Sequence, residues 1–287
     1  MRGEAEIGRL ANRLPGRRAF VTGAASGLGR EFALELARHR WRLGLADLSV
    51  DRLECVRAEV DSAGGRATTY TGDVASHEFV ESAIARYARD VGGGVDLLIN
   101  NAGVAVAGLV EVTSAEDWRW AIDINLLGVV HGCRAAVPLM RRQGSGVILN
   151  IASSAGFAAA PQMGAYNASK AGVIALTETL AAELDGSGVQ VSVAMPGFFR
   201  TGLLETMRAP AEESAMARRL MAGSGYDAAD AARAILAATS RGRLYILWPQ
   251  EYVWLWRIKR FFPMRFLRLV QRMRARQSAR AGHRRRG

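Results

Sequence analysis

Apolar residues fall along this chain in two alternating rhythms. Short, nearly continuous runs at 18–22 (RAFVT), 42–46 (RLGLA), 95–100 (VDLLIN), 146–152 (GVILNIA) and 189–194 (VQVSVA) have the length of buried strands. The β-rich stretch 67–71 (ATTYT) and the run 243–247 (RLYIL) bring the series to seven. Between them the spacing turns helical, at about 28–40, at about 49–63, up to about 89, from Ser114 onward and at about 164–184. Ser114 followed three positions later by Asp117 has a capping-box pattern. Strands that alternate with helices of this length predict a parallel sheet covered on both faces, and continuous apolar strands agree with that burial. The alternation runs unbroken to about residue 247, with no linker, repeat or low-complexity block. The expectation is therefore one doubly wound α/β domain with a seven-stranded parallel sheet over 15–247. An N-terminal extension (1–14) precedes it and a C-terminal helical extension (248–287) follows it. Ligand is expected beyond the C-terminal ends of the strands, where the strand order reverses.

Composition narrows the class further. With 49% hydrophobic and 23% charged residues in 287, the chain is neither disordered nor fibrous. Two cysteines, Cys55 and Cys133, exclude a disulfide scaffold and fit a reducing, cytoplasmic compartment. The four histidines (His39, His77, His131, His283) have no metal-ligand spacing, so no metal is expected. No Ser stands in a G-x-S-x-G elbow, which argues against a serine hydrolase. No apolar run reaches 18 residues, so no spanning helix is expected, and residues 1–16, with Glu4 and Glu6, do not read as a secretory signal. The net charge of +11 is uneven: residues 1–244 hold 26 basic and 26 acidic side chains, whereas residues 245–287 hold 12 basic residues and one acid, Glu251. The body needs no polyanionic partner; the tail is the part that invites one.

The first strand runs into Thr22-Gly23-Ala24-Ala25-Ser26-Gly27-Leu28-Gly29, a glycine-rich turn leading into a helix. Glycines there permit a tight turn and close approach of backbone to a pyrophosphate, and the helix N-terminus offers free N–H groups to it. Asp47 ends the second strand 18 residues after Gly29, where a carboxylate accepts from adenosine ribose hydroxyls and repels a 2′-phosphate. Standing alone, Asp47 reads as a helix cap. With Leu48 next to it rather than a basic residue, NAD is expected over NADP.

The TGxxxGxG spacing resembles that of the short-chain dehydrogenase/reductase family, and further motifs follow in the family's order. Asp73-Val74 is similar to its adenine-contacting pair, Asn100-Asn101-Ala102-Gly103 to its NNAG turn, and Asn125 lies where the family places a catalytic Asn. Ser153 precedes Tyr166 by 13 residues, Tyr166 to Lys170 reads YxxxK, and Pro196-Gly197 with Thr201 resembles a segment lining the nicotinamide, Phe199 included. The resemblance spans about 15–247. It implies a Rossmann-type fold, a homodimer or homotetramer, and cofactor contacts from Gly23, Ser26, Gly27, Leu28, Gly29, Asp47, Asp73, Val74, Asn100, Ala102, Gly103, Tyr166, Lys170, Pro196, Gly197, Phe199 and Thr201.

Tyr166 and Lys170, four apart on a helix, share a face. A phenol ordinarily loses its proton near pH 10. An adjacent ammonium and an oxidised nicotinamide are expected to lower that value, making Tyr166 a general acid/base. The resemblance assigns Ser153 to the substrate oxygen, Lys170 also to the nicotinamide ribose, and Asn125 to a water linking Lys170 with solvent. Only two of the 38 basic residues are lysines, Lys170 and Lys259, so a lysine at this position favours function over a solvated helix face. Taken singly, Tyr166, Ser153 and Asn125 read as packing, turn and surface residues.

Apolar segments around this set suggest a lipophilic substrate, a secondary alcohol or its ketone, with Ser153, Phe157, Met163, Tyr166, Phe198 and Leu203 as candidate contacts. The alternative reading of these segments is core packing. Residues of about 202–225 are expected to form a mobile helical lid. In the tail, 251–276 alternates aromatic and basic residues, with Arg265, Arg268, Arg272 and Arg276 on one face and Phe266, Leu267, Val270 and Met273 on another. Peripheral membrane contact, a packing extension and a polyanion-binding arm all fit such a stretch, although no base-reading motif supports specific nucleic-acid binding. For the whole chain, the alternative to an alcohol dehydrogenase/ketone reductase is a catalytically silent dinucleotide-binding or scaffold protein of the same fold.

Overall fold

The computed structural model describes residues 2–272, and in it the apolar runs become seven strands. They are β1 (Arg18–Thr22), β2 (Arg42–Asp47), β3 (Arg66–Thr71), β4 (Leu97–Asn100), β5 (Gly146–Ile151), β6 (Val189–Pro196) and β7 (Tyr245–Trp248). All pair in parallel in the order β3-β2-β1-β4-β5-β6-β7, so the order reverses between β1 and β4. The pairing of β1 with β4, Ala19 opposite Leu97 and Val21 opposite Ile99, brings Thr22 and Asn100 to adjoining strand ends.

Helices cover both faces because the central strands are apolar on both sides. One face carries α1 (Arg2–Arg13), α2 (Gly27–Ala37), α3 (Val50–Ser62) and α10 (Ala228–Ser240). The other carries α4 (His77–Asp90), α5 (Ala115–Ile122), α6 (Gly128–Gln143) and α8 (Gly164–Glu183). Short α7 (Ala155–Ala158), α9 (Ala211–Ala222) and α11 (Glu251–Phe261) lie in the loops and tail. Where the sequence suggests a single helix from Ser114, the structure has α5 and α6 joined by a π turn, Asp123–Leu127, that contains Asn125. Ser114 caps α5 by accepting from the Asp117 N–H at 3.0 Å. By length and composition the combined stretch Ala115–Gln143 passes as a candidate membrane span, yet it buries Gly128, Val129, Cys133, Ala136 and Met140 against β4, β5 and α4. The lid stretch holds a single 3₁₀ turn (Gly202–Leu204) and α9.

The N-terminal stretch, set apart from the domain on sequence grounds, is part of its core. Ile7, Leu10, Ala11 and Leu14 recur at helical spacing and are buried where α1 packs on α10. Arg13 adds a hydrogen bond to Gln190 Oε1 at 2.5 Å, and Arg241 pairs with Glu6. The signal for this helix is local and present in the sequence; what it covers is not. Leu10→Ala removes a fully buried side chain and is expected to lower stability by about 2–4 kcal/mol. Urea unfolding checks this, and a loss below about 0.5 kcal/mol would mean α1 is peripheral to the core.

Candidate active site

At the end of β1 the chain turns through two left-handed glycines, Gly23 (φ +65°) and Gly27 (φ +52°), before α2 begins. Space adds a second demand. A Cβ on Gly23 would lie 2.7 Å from the Ala102 Cα, and one on Gly29 would lie 2.0 Å from the Gly23 carbonyl oxygen. Thr22 Oγ1 accepts from the N–H groups of Asn101 (3.0 Å) and Ala102 (3.1 Å), while the Asn101 amide donates back to the Thr22 and Gly23 carbonyls. These bonds lock the turn after β1 to the turn after β4. Ser26 opens α2 without capping it by a side-chain bond, so the helix end has donors for an anion. Thr201 Oγ1 stands 2.8 Å from where a Gly27 Cβ would be, closing the turn from the far side. A cradle of backbone with no room for side chains fits a dinucleotide pyrophosphate.

Asp47 at the end of β2 is half-buried. Its Oδ2 accepts from the Ala25 N–H at 3.0 Å and its Oδ1 from the Leu48 N–H at 2.7 Å, so the carboxylate already ties β2 to the glycine turn. It does not cap α3, whose first position follows Ser49. Asp73 is exposed and accepts from the Ala75 N–H at 2.9 Å, and Val74 is buried against Gly128. The Asn100 side chain is buried, and its Nδ2 donates to Asn150 Oδ1 at 2.9 Å. Its strand position turns it into the core, leaving only backbone for a ligand. Phe199 is likewise turned inward, its ring 5.9 Å from that of Trp248. Gly197 has a packing reason to be glycine, because a Cβ there would meet the Tyr252 ring at 2.1 Å.

Beyond β5, three of the expected side chains converge. Tyr166 and Lys170 rise one turn apart from α8 with Nζ 6.0 Å from the Tyr166 ring centre, and the Ser153 hydroxyl neighbours the phenol. Lys170 is buried and donates to the Ile151 carbonyl at 2.9 Å. Gly103 leaves the space where Asn125 and Lys170 approach: a Cβ there would stand 3.0 Å from Asn125 Oδ1 and 3.3 Å from Lys170 Nζ. The Asn125 side chain is committed elsewhere. Its Oδ1 accepts from the Val104 N–H (2.8 Å) and its Nδ2 donates to the Val104 carbonyl and Ser169 Oγ (3.0 Å each). It pins the segment after β4 to the π turn, and Ser169 in turn donates to the Tyr166 carbonyl at 2.8 Å. Thr22, Asn101 and Ser169 are thus structural partners of the site beyond the expected contacts; Thr22 and Asn101 stand within the motifs, but the bonds they make join turns far apart in sequence.

Burial governs the electrostatics of the pair. It pushes the Tyr166 phenol above its ordinary value, and the neighbouring Ser153 hydroxyl offsets only part of this. It also pushes the Lys170 amine down to about 8.

The substrate candidates surround this set unevenly. Phe157 follows Ser153 on α7, and the loop to Tyr166 holds two left-handed non-glycine residues, Ala159 (φ +52°) and Gln162 (φ +63°). Met163 bridges Gly108, and Phe198 is exposed. The lid is strapped down: the Ala107 N–H donates to the Arg208 carbonyl (3.0 Å), and the Arg208 N–H to the Ala105 carbonyl (3.1 Å). The Arg208 guanidinium adds Asp117 at 2.9 Å and the Trp120 ring at 4.0 Å. Leu203 sits on the 3₁₀ turn beside Thr201. A cavity of about 640 Å³ lies at the opposite end of the sheet, among Arg17, Arg40, Trp41, Arg42 and Arg66, remote from this chemistry. No cluster of His, Cys, Asp or Glu among the described residues has the geometry to hold a metal.

Known proteins are similar to this chain in sequence and fold. The family model described as short chain dehydrogenase matches residues 17–212. The 3-oxoacyl-[acyl-carrier-protein] reductase FabG of Thermotoga maritima is 35% identical over 210 residues, covering 72% of this chain and 83% of that protein. The 2-(R)-hydroxypropyl-CoM dehydrogenase of Xanthobacter autotrophicus is 36% identical over 193 residues, covering 66% and 77%. Among solved structures, a short chain dehydrogenase/reductase from Burkholderia phymatum in complex with NAD superposes with a TM-score of 0.80 at 32% identity, covering 84% of this chain and 92% of that one.

The depressed amine has a measurable consequence. Below pH of about 8 the folded chain carries Lys170 as a desolvated ammonium, and the full cost is present; as pH rises toward 10.5, the folded state releases a proton that the unfolded state keeps, and stability from this residue increases. Comparing wild type with Lys170→Met by urea unfolding should show the difference moving in wild type's favour by about 1–3 kcal/mol between pH of about 7.5 and 9.5. A pH-independent difference would show that the amine is not desolvated.

Proposed function

The chain belongs to the short-chain dehydrogenase/reductase family, and from that premise we propose that it is an NAD-dependent oxidoreductase interconverting a lipophilic secondary alcohol and its ketone. The observation that carries this reading is the meeting of Ser153, Tyr166 and Lys170 over the C-terminal ends of β4 and β5, next to the glycine cradle. The dinucleotide, when bound, supplies or accepts the hydride and in its oxidised form brings a positive charge. The backbone of Gly23, Ser26, Gly27, Leu28 and Gly29, with Thr201, would hold its pyrophosphate, and Asp47 would take the adenosine ribose. Asp73 and Val74 would serve the adenine, and the backbone of Asn100, Ala102, Gly103, Pro196 and Gly197 the nicotinamide.

In this reading Tyr166 Oη gives its proton to the carbonyl oxygen during reduction and takes the alcohol proton during oxidation. Ser153 Oγ donates to the same oxygen and steadies the charge that develops on it. Lys170 holds the nicotinamide ribose and bears on Tyr166, while Asn125 is a positioning residue whose side chain holds Val104. A phenol kept protonated by burial is in the form that donates to a carbonyl oxygen. Phe157, Met163, Phe198 and Leu203 give the substrate space an apolar lining. Assembly into a homodimer or homotetramer belongs to the same reading. A silent scaffold finds less support, because every side chain the chemistry needs is present.

Tyr166→Phe is expected to lower kcat for ketone reduction by about a thousandfold or more while leaving the NADH Kd within about threefold. The substrate panel for that assay spans steroid, retinoid and fatty ketones, small charged oxo acids and a 3-oxoacyl thioester. Retained turnover would remove Tyr166 from its role, and a preference for small charged oxo acids would remove the lipophilic substrate. Asp47→Asn keeps the shape but removes the charge, so the preference for NAD over NADP should narrow by about tenfold; an unchanged ratio in Kd measurements would place cofactor choice elsewhere.

A further inference from the structure

The tail is built with two apolar faces, and only one of them is used. On the inner face of α11, the Tyr252 ring lies over Gly197 and its hydroxyl accepts from the Phe198 N–H at 3.3 Å, while Trp256 stacks on Tyr245 with ring centres 5.4 Å apart. These contacts seat the helix beside β7 and α7, on the loop after β6 that rims the crevice. On the outer face, Trp254, Ile258 and Phe261 recur at positions i, i+4 and i+7, and Trp254 and Phe261 are 63% and 71% exposed. Phe262 then leaves the helix and Pro263 opens the next, helical through 272, which adds exposed Met264 and Leu269. Phe266 folds inward beneath Lys259.

Six of the protein's exposed large apolar side chains thus fall between 254 and 269, a concentration that single scattered surface residues do not produce. Cations surround them. Arg257 stands over the Trp254 ring at 5.2 Å and Arg265 over Phe262 at 5.5 Å, with Arg268 and Arg272 exposed alongside. None of these four has a carboxylate partner among the described residues. Further arginines follow in the sequence through 287, although Met273 and Arg276, expected on the two faces of this helix, lie outside the described residues.

We propose that the outer face formed by Trp254, Ile258, Phe261, Phe262 and Met264, with its arginine rim, docks on the surface of an anionic lipid bilayer. Aromatic and aliphatic side chains over a band of guanidinium groups match the boundary between acyl chains and anionic headgroups. The alternating cation–aromatic stacks suit a layer that is apolar on one side and negatively charged on the other. A second copy of this chain would bring the same unpaired arginines to the contact, which like-charge repulsion opposes. Docking in this orientation sets the rim of the crevice, through Tyr252 and the loop after β6, next to the bilayer. The docking itself does not depend on the chemistry proposed for the crevice.

The test mixes the full chain with vesicles of phosphatidylcholine alone, or of phosphatidylcholine and phosphatidylglycerol in a two-to-one ratio, and reads flotation. The variants are the triple change Trp254→Ser, Phe261→Ser, Phe262→Ser and the charge change Arg257→Gln, Arg265→Gln, Arg268→Gln, each checked for wild-type melting temperature and for its mass by light scattering. The anionic vesicles should bind wild type about tenfold or more above the neutral ones, and each variant should lose most of that excess. High salt should weaken wild-type binding. Equal binding to both vesicles overturns the proposal. So does full binding by the folded triple-serine variant, which would leave only unspecific attraction of the arginines. A triple-serine variant whose mass falls to that of the monomer, where wild type is larger, would instead assign this face to contact between copies.

Discussion

A primary amine held out of water beneath the ends of β4 and β5 sets the terms for the rest of the site. Lys170 gives up hydration for one hydrogen bond, to the Ile151 carbonyl, and burial lowers its proton affinity to about 8. Its surroundings are shaped to allow this. Gly103 leaves room for the amine, and Gly156 lets α7 approach α8 so closely that a Cβ would meet the Lys170 carbonyl carbon at 2.8 Å. An arginine would not be equivalent here, because a guanidinium keeps its proton where a buried amine can release one.

The polar residues below the crevice serve the same end by fixing the backbone around it. Asn100, Asn150, Cys133 and Thr177 form a buried chain of hydrogen bonds between β4, β5, α6 and α8, with Asn150 donating to Thr177 at 3.0 Å. Thr22 and Asn101 lock the turns after β1 and β4 to one another, and Asn125 locks Val104 to the π turn. Buried amides in such networks lose more when half-satisfied than they give when complete, so they tolerate few alternative arrangements. The turns after β1 and β4 are therefore fixed to one another by bonds within the protein itself.

Helices α1 and α11, which sequence motifs leave outside the domain, are joined to it by packing. The α1 helix completes one face of the core through α10, and α11 rests on Gly197 by the ring of Tyr252. The second contact makes a glycine in a motif-bearing loop answer to the tail. The aromatic face of the tail turned away from the body is a property of the surface, and it belongs to the stretch of sequence, 245–287, that carries the net charge of the protein.

Much of this was readable along the chain. The alternation of short apolar runs with helical spacing determines seven parallel strands, since only a sheet covered on both sides uses such strands. Glycines between strand and helix, and a tyrosine one turn before a lysine, determine which loops and which helix face carry the chemistry. The tertiary structure alone decided the rest, because burial and neighbours come from residues far apart in sequence. Spacing marks Asn100 and Phe199 as candidates beside a ligand, but the pleat of β4 turns the Asn100 side chain into the core and packing on Trp248 does the same for Phe199. Proximity in sequence pairs Lys170 with Tyr166, and the depth at which both lie makes desolvation the leading influence on each. How far a charge sits from water is set by everything packed around it, and no local pattern of residues records that distance.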